Sequence, residues 1–194
     1  MSEIKVNKVS PATGTAITLG DSGDTFTVPS GATIVNSGTA TGFGGGKVLQ
    51  CLSATKTDTA TSSSTSFVDI SGLSVAITPA ATSSKILILW HISSHGNNAG
   101  SAMRLARGST GICVADAAGS RIQASVATFE TSGDTVNTRG GNFLDSPSTT
   151  SATTYKMQWR SNGNTDKLNS SDNDSDTADY VRATSTITVI EIGA

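Results

Sequence analysis

From Lys47 onward, apolar residues recur in short runs separated by turn-forming residues. Leu73, Val75 and Ile77 alternate with small or polar neighbours, as do Tyr155, Met157 and Trp159. Each run therefore reads as a strand with one buried face. Lys85-Ile-Leu-Ile-Leu-Trp-His-Ile92 carries apolar residues on both faces, and so does the closing Thr184-Ser-Thr-Ile-Thr-Val-Ile-Glu-Ile192. Both predict central strands, with a second apolar face left over for a subunit contact. The small residues of Ile122-Gln-Ala-Ser-Val-Ala-Thr-Phe129 would let neighbouring sheets approach closely. Further strands are expected over 48–52, 65–70, 102–106 and 112–115. Short strands, polar loops and no convincing helix predict an all-β fold, a β-sandwich with a jelly roll as the leading topology.

Before the glycine cluster Gly42, Gly44, Gly45 and Gly46 the pattern changes. Gly14-Thr-Ala-Ile17, Gly23-Asp-Thr-Phe26 and Gly31-Ala-Thr-Ile34 repeat one form: glycine, two small or polar residues, then a large apolar one. Gly38-Thr-Ala-Thr41 is a degenerate fourth copy. Asp21-Ser-Gly23 and Pro29-Ser-Gly31 supply turn chemistry between them. Ile17 and Leu19, Phe26 and Val28, and Ile34 are the only apolar anchors of these units. They are too few to offset backbone ordering of about 1–2 kcal/mol per residue. Such repeats gain stability by stacking and by sharing a core between chains. Residues 1–46 are thus expected to form an anchor, a β-repeat stalk wound with its copies in a homotrimer, and a glycine hinge. Residues 47–194 form the head. The alternative is an edge hairpin and flexible arm of a monomer.

Composition sharpens this picture. The chain has 194 residues with 29 Ser and 29 Thr but only three Glu, which disfavours helix bundles and coiled coils. Val, Ile, Leu and Phe number 39, near the range of disordered chains, but the net charge of −2 lacks the repulsion that keeps chains unfolded. Thirteen basic against 15 acidic residues, without a basic cluster, give no nucleic-acid surface. No apolar run spans a bilayer, and the amino terminus has no secretory leader, so no membrane insertion is expected. Cys51 and Cys113 are too few for a disulfide scaffold and read as buried or partly buried thiols from a reducing cytoplasm.

Ser2-Glu-Ile-Lys-Val-Asn-Lys-Val-Ser-Pro11, Leu19-Gly-Asp-Ser-Gly-Asp-Thr25 and Pro29-Ser-Gly-Ala-Thr33 resemble the amino termini of tail-fibre-like structural proteins of marine bacteriophages. Phe67-Val-Asp-Ile-Ser-Gly-Leu73, Ser83-Ser-Lys-Ile-Leu87 and Thr186-Ile-Thr-Val-Ile-Glu-Ile192 are similar to their carboxy-terminal knobs. The resemblance implies a homotrimer with a short β-stalk and a jelly-roll head. It would assemble in the host cytoplasm, be displayed on a virion, dock on other virion proteins through its amino terminus and touch a host-surface glycan or protein. The rival readings are a capsid decoration trimer and a carbohydrate-binding module.

Candidate chemistry is sparse, and no enzyme is expected. Gly20-Asp-Ser-Gly23 is similar to a serine-protease motif, but Asp24 follows where glycine is needed, and both histidines, His91 and His95, come later in the chain. It reads as a turn. Thr41-Gly-Phe-Gly-Gly-Gly-Lys47 lacks the first glycine and the final hydroxyl of a phosphate loop. It reads as the hinge. Asp172, Asp174 and Asp176 alternate as at the start of a calcium loop. Thr177 and Ala183 stand where the glycine and the bidentate glutamate belong, which rules out an EF-hand. A solvated loop is the main reading and a weaker calcium site the alternative, since close carboxylates repel unless a cation neutralises them. His91 and His95, four apart on one strand, sit too far apart to share a metal. Trp90, Trp159, Tyr155 and Tyr180 are core candidates before they are a sugar platform. Polar recognition is assigned to loop residues Asn97, Asn98, Asn162, Asn164, Asp172, Asp174 and Asp176. No cofactor is expected.

Overall fold

The computed structural model describes residues 9–11, 13–18, 20–25, 27–33, 35, 48–96, 101–128 and 134–193. The chain divides into two compact units, Met1–Phe43 and Gly44–Ala194. In the first unit the described residues are turns and extended chain without a strand. The Asp24 amide closes a turn on the Asp21 carbonyl at 3.1 Å, and the Ala32 amide does the same on Pro29. Gly23 and Gly31 take the positive φ these turns need. Gly20-Asp-Ser-Gly23 is thus part of a turn. Ile17 and Val28 are exposed in the single chain. Leu19, Phe26, Ile34 and the segment 36–47 lie outside the described residues.

The second unit is all-β, with no helix among the described residues. Its strands are β1 Val48–Lys56, β2 Ala60–Ser62, β3 Val68–Ile77, β4 Lys85–His95, β5 Ser101–Arg107 and β6 Thr110–Ile112. There follow β7 Val126–Thr128, β8 Asn137–Asp145, β9 Thr153–Arg160, β10 Asp166–Leu168 and β11 Ser185–Ile192. Every described pairing between them is antiparallel.

Residues 86–91 of β4 pair with both β11 and β8, so those two lie on opposite edges of β4. Ser94 pairs with both Leu168 and Asn137, which puts β10 on the β11 edge. The first sheet is therefore four columns: β1 with β2, β11 with β10, β4, and β8. By the same reasoning the second sheet runs β3, β9, β5, then β6 and β7 on one edge of β5. The order β1-β11-β4-β8 in one sheet and β3-β9-β5-β6 in the other is that of a jelly-roll sandwich.

Alternation along the strands fills the interior. Ile86, Ile88, Trp90, Ile92, Ile187 and Val189 from the first sheet meet Leu73, Val75, Ile77, Met103, Leu105, Tyr155, Met157 and Trp159 from the second. Each such aliphatic or aromatic side chain contributes about 1.5–3 kcal/mol when removed from water. The Trp90 indole explains a glycine in β8: a Cβ on Gly141 would lie 2.6 Å from its Cζ2 atom.

Two buried polar hubs hold the columns in register. Asn169, with φ +58° and no exposed surface, sits where β10 gives way to β11. Its amide donates to the Ser93 carbonyl at 2.8 Å and its carbonyl accepts from Ala183. Its Nδ2 donates to the Lys56 and Asp58 carbonyls, each at 2.9 Å. Ser185 Oγ donates to its Oδ1 and accepts from the Ser93 amide. At the other end Glu191, fully buried, accepts from the Ala80 amide at 2.7 Å and from Gln50 at 2.5 Å. Burial alone would raise its carboxyl. The hydrogen bonds from Gln50 and the Ala80 amide oppose that, and the carboxyl is held below its usual value.

Candidate functional site

Two surfaces of the sandwich are candidates for function: the outer face of the first sheet and the end where its long loops turn.

Residues directly opposite across a sheet share a face, so the register can be read as rows. Cys51, Ile190, Leu87 and Leu144 form one row across all four columns of the outer face. Ser53, Thr188, Leu89 and Asn142 form the next, and Thr55, Thr186, His91 and Gly140 the third. Ile192 and Lys85 lie beyond the apolar row. Leu144 is 53% exposed and Leu89 40%. Lys85, at the margin, is the one charged side chain in these rows. The hydroxyls pair with one another: Ser53 with Thr188 at 2.9 Å, and Ser93 with Thr138 at 2.8 Å. Thr186 Oγ1 bonds His91 Nδ1 at 2.9 Å. A soluble sheet face usually answers an apolar interior with charged positions outside; this one does not.

The outer face of the second sheet is built differently. Lys156 pairs with Asp69 at 2.6 Å, and Gln158 donates to the same carboxylate at 2.7 Å. Arg104 donates to Gln158 at 2.8 Å and stacks over Phe67 at 4.1 Å. Gln158, then Lys156, hold the Asp69 carboxyl below its ordinary value.

Strand polarity puts the carboxyl ends of β1, β4 and β9 at one end of the sandwich, with the starts of β3, β5, β8 and β11. Four of the five described recognition residues are exposed there: Asn162, Asn164, Asp174 and Asp176, with Asp172 partly covered. Asn97 and Asn98 lie outside the described residues. Asn162 Oδ1 accepts from both the amide and the side chain of Asn164, which closes a tight turn. The carboxylates of the 172–176 segment do not converge on a common point. Asp172 faces Lys167 at 3.3 Å and Asp174 faces Arg182 at 2.7 Å. Protein cations thus relieve the repulsion that motivated a calcium ion. Among the described residues no three His, Cys, Asp or Glu side chains group as a metal site.

The remaining candidates resolve one by one. Trp90, Trp159 and Tyr155 are buried, and Tyr180 accepts a bond from Asn173 at 2.7 Å; the four form no sugar platform. His95 is buried against the Thr135 carbonyl at 3.2 Å, while His91 bonds Thr186, so they share no ligand position. Cys113 is partly buried, but Cys51 is exposed, against expectation. It occupies an outward position of the edge strand β1, which a register of 48–56 makes clear and the sequence run 48–52 did not. Among the described residues no helix is long and apolar enough to cross a membrane.

No protein-family model matches the chain, and no curated protein matches it.

Proposed function

We propose that this chain is a non-enzymatic structural protein that works as a homotrimer, a jelly-roll head on a short repeat stalk, displayed on a virion to engage a host surface. The observation that carries the reading is the apolar row on the outer face of the first sheet, with Leu89 and Leu144 exposed and Leu87 and Ile190 partly exposed in the single chain. An apolar patch rimmed by hydroxyls marks an interaction surface. Lacking charge complementarity to steer a foreign partner, it suits a copy of itself.

Its size also bears on the stalk. Four columns at about 4.8 Å spacing, over six residues at about 3.4 Å each, give a footprint of roughly 400 Å². A stable contact takes about 800 Å² per partner. The head face alone falls short, so the apolar repeats of 12–43 supply the balance. A trimer would also present three copies of the loop end, and avidity would multiply weak contacts. The virion setting rests on the resemblance of residues 2–11, 19–25 and 29–33, with that of the knob segments.

Light scattering on the eluting full chain tests the reading. The expected mass is three times 19.6 kDa, and a monomer at micromolar concentration overturns it. Antibody labelling of purified particles tests the virion setting: signal on the tail supports attachment, and particles without signal exclude it.

A further inference from the structure

We propose that the open cleft beside Arg107 is a binding site for a carboxylate-bearing saccharide, such as a uronic acid unit of a surface polysaccharide. The cleft holds about 390 Å³ and lies between the turn that ends β5 and the loop joining β8 to β9. It sits at the opposite end of the sandwich from Asn162 and Asp174, so it is a site that the loop residues do not describe.

A pair of buried groups from the two sheets aims the cation. Asp145, at the end of β8, accepts from Arg107 Nη1 through both oxygens, at 3.0 and 2.8 Å. Tyr155 from β9 donates to the same carboxylate at 2.6 Å, fully buried. Burial, then the Asp145 carboxylate, push the Tyr155 phenol up, so it remains a donor. Arg107 is 36% exposed. Its Nη1 is committed to Asp145, so Nη2 and Nε are the guanidinium nitrogens that remain for a second acceptor. They present the planar fork that matches a carboxylate.

The walls complement a sugar's hydroxyls in both senses. Thr149 Oγ1 accepts from the Ser151 amide at 3.0 Å, which leaves its proton to donate. Thr153 Oγ1 donates to the Ser151 carbonyl at 3.1 Å, which leaves its lone pairs to accept. Pro147 closes one side. No lining residue is acidic. Lys85 reaches the start of the same loop through Ser146 at 2.7 Å, so the neighbourhood of Arg107, Asp145 and Lys85 is net positive. The lining has no aromatic side chain for stacking, so a single site binds weakly.

This inference takes its biological setting from the attachment reading but does not depend on assembly. The test titrates the full chain with an oligogalacturonate, a neutral galactose oligomer and a sulfated galactose oligomer, followed by saturation-transfer NMR, with the mass of the same sample measured by light scattering. Arg107→Lys keeps a cation for Asp145 but loses the fork. It is expected to fold with an unchanged melting profile and to weaken oligogalacturonate binding at least tenfold. Thr149→Val, which touches no ion pair, is expected to weaken it two- to fivefold. Equal binding of the neutral oligomer, preference for the sulfated one, or full affinity in Arg107→Lys overturns the proposal. A trimer that ignores the uronate sinks the cleft and leaves the assembly. A monomer that binds it does the reverse.

Discussion

The two sheets share one core but present opposite surfaces to water. On the second sheet, Lys156, Asp69, Gln158, Arg104 and Phe67 form a continuous polar ladder. On the first, a row of Cys51, Ile190, Leu87 and Leu144 crosses all four columns with no charge in it. Inside, both are ordinary. The difference teaches that alternation tells which residues build a sandwich, whereas the composition of the opposite face tells what the sandwich meets. A polar ladder tolerates water as a permanent neighbour. The leucine and isoleucine row loses about 25 cal/mol for every Å² of apolar surface left wet.

The strongest way to break this contrast is to charge the apolar row. Leu87→Asp with Leu144→Asp should leave the monomer folded, because both side chains already point outward, Leu144 at 53% exposure. Association should weaken at least ~100-fold, about 2.7 kcal/mol. The matched change on the second sheet, Lys156→Glu, should not move the association constant. Sedimentation equilibrium across a concentration series reads both. Equal sensitivity of the two faces would abolish the distinction.

A second experiment asks what keeps the apolar face flush. The first sheet is the one whose second column changes strand partway, from β10 to β11, and Asn169 bridges the break. Asn169→Ala strands the Lys56 and Asp58 carbonyls and the Ser185 hydroxyl. Buried orphans of this kind cost about 1–3 kcal/mol each. The expected loss is about 3 kcal/mol or more, a fall in Tm of roughly 6–12 °C for a chain of this size. Calorimetry checks it, and a change below about 1 kcal/mol would show that the columns hold without the hub.

Much of the sandwich was legible in the sequence, for reasons that the missed parts make plain. Tyr155, Met157 and Trp159 were readable as one buried face because each is apolar and the period is two. β4 and β11 were readable as central because each carries apolar residues on both faces. β3 was split in the reading into 65–70 and 73–78; the structure carries one strand through a register shift between Asp69 and Ser74, with Gly72 at φ +88°. β8 was missed entirely. Its inward positions are Arg139, Gly141, Phe143 and Asp145, so the pattern that betrays a strand is absent. Gly141 is there to admit the Trp90 ring, a reason that lies on another strand. β2 and β10, three residues each, were too short for any period. Asn169 gave no signal, since nothing local shows that its amide closes a sheet. Arg107 gave no signal either, because its partners Asp145 and Tyr155 come from other strands. The strands expected of the repeat before residue 36 are absent from the described residues of the single chain.

The smallest expected effect lies on the polar ladder, and it sharpens the contrast by being small. Gln158 and Lys156 depress the Asp69 carboxyl below its ordinary 3.8. A depressed carboxyl stabilises the fold above its unfolded value, and that contribution disappears as pH falls through the folded value. Asp69→Asn should therefore cost stability at pH 7 and become indistinguishable from the parent near pH 2. The Asp69 side chain is 51% exposed, so solvent screens the pair and the cost at pH 7 should stay below about 1 kcal/mol. It should shrink further in 1 M salt, where the Debye length falls to about 3 Å. Urea midpoints at pH 7 with and without salt, and at pH 2, measure all three. A loss of several kcal/mol at pH 7 would mean that the ladder organises the second sheet as strongly as Asn169 organises the first, and the two faces would then differ in polarity but not in consequence.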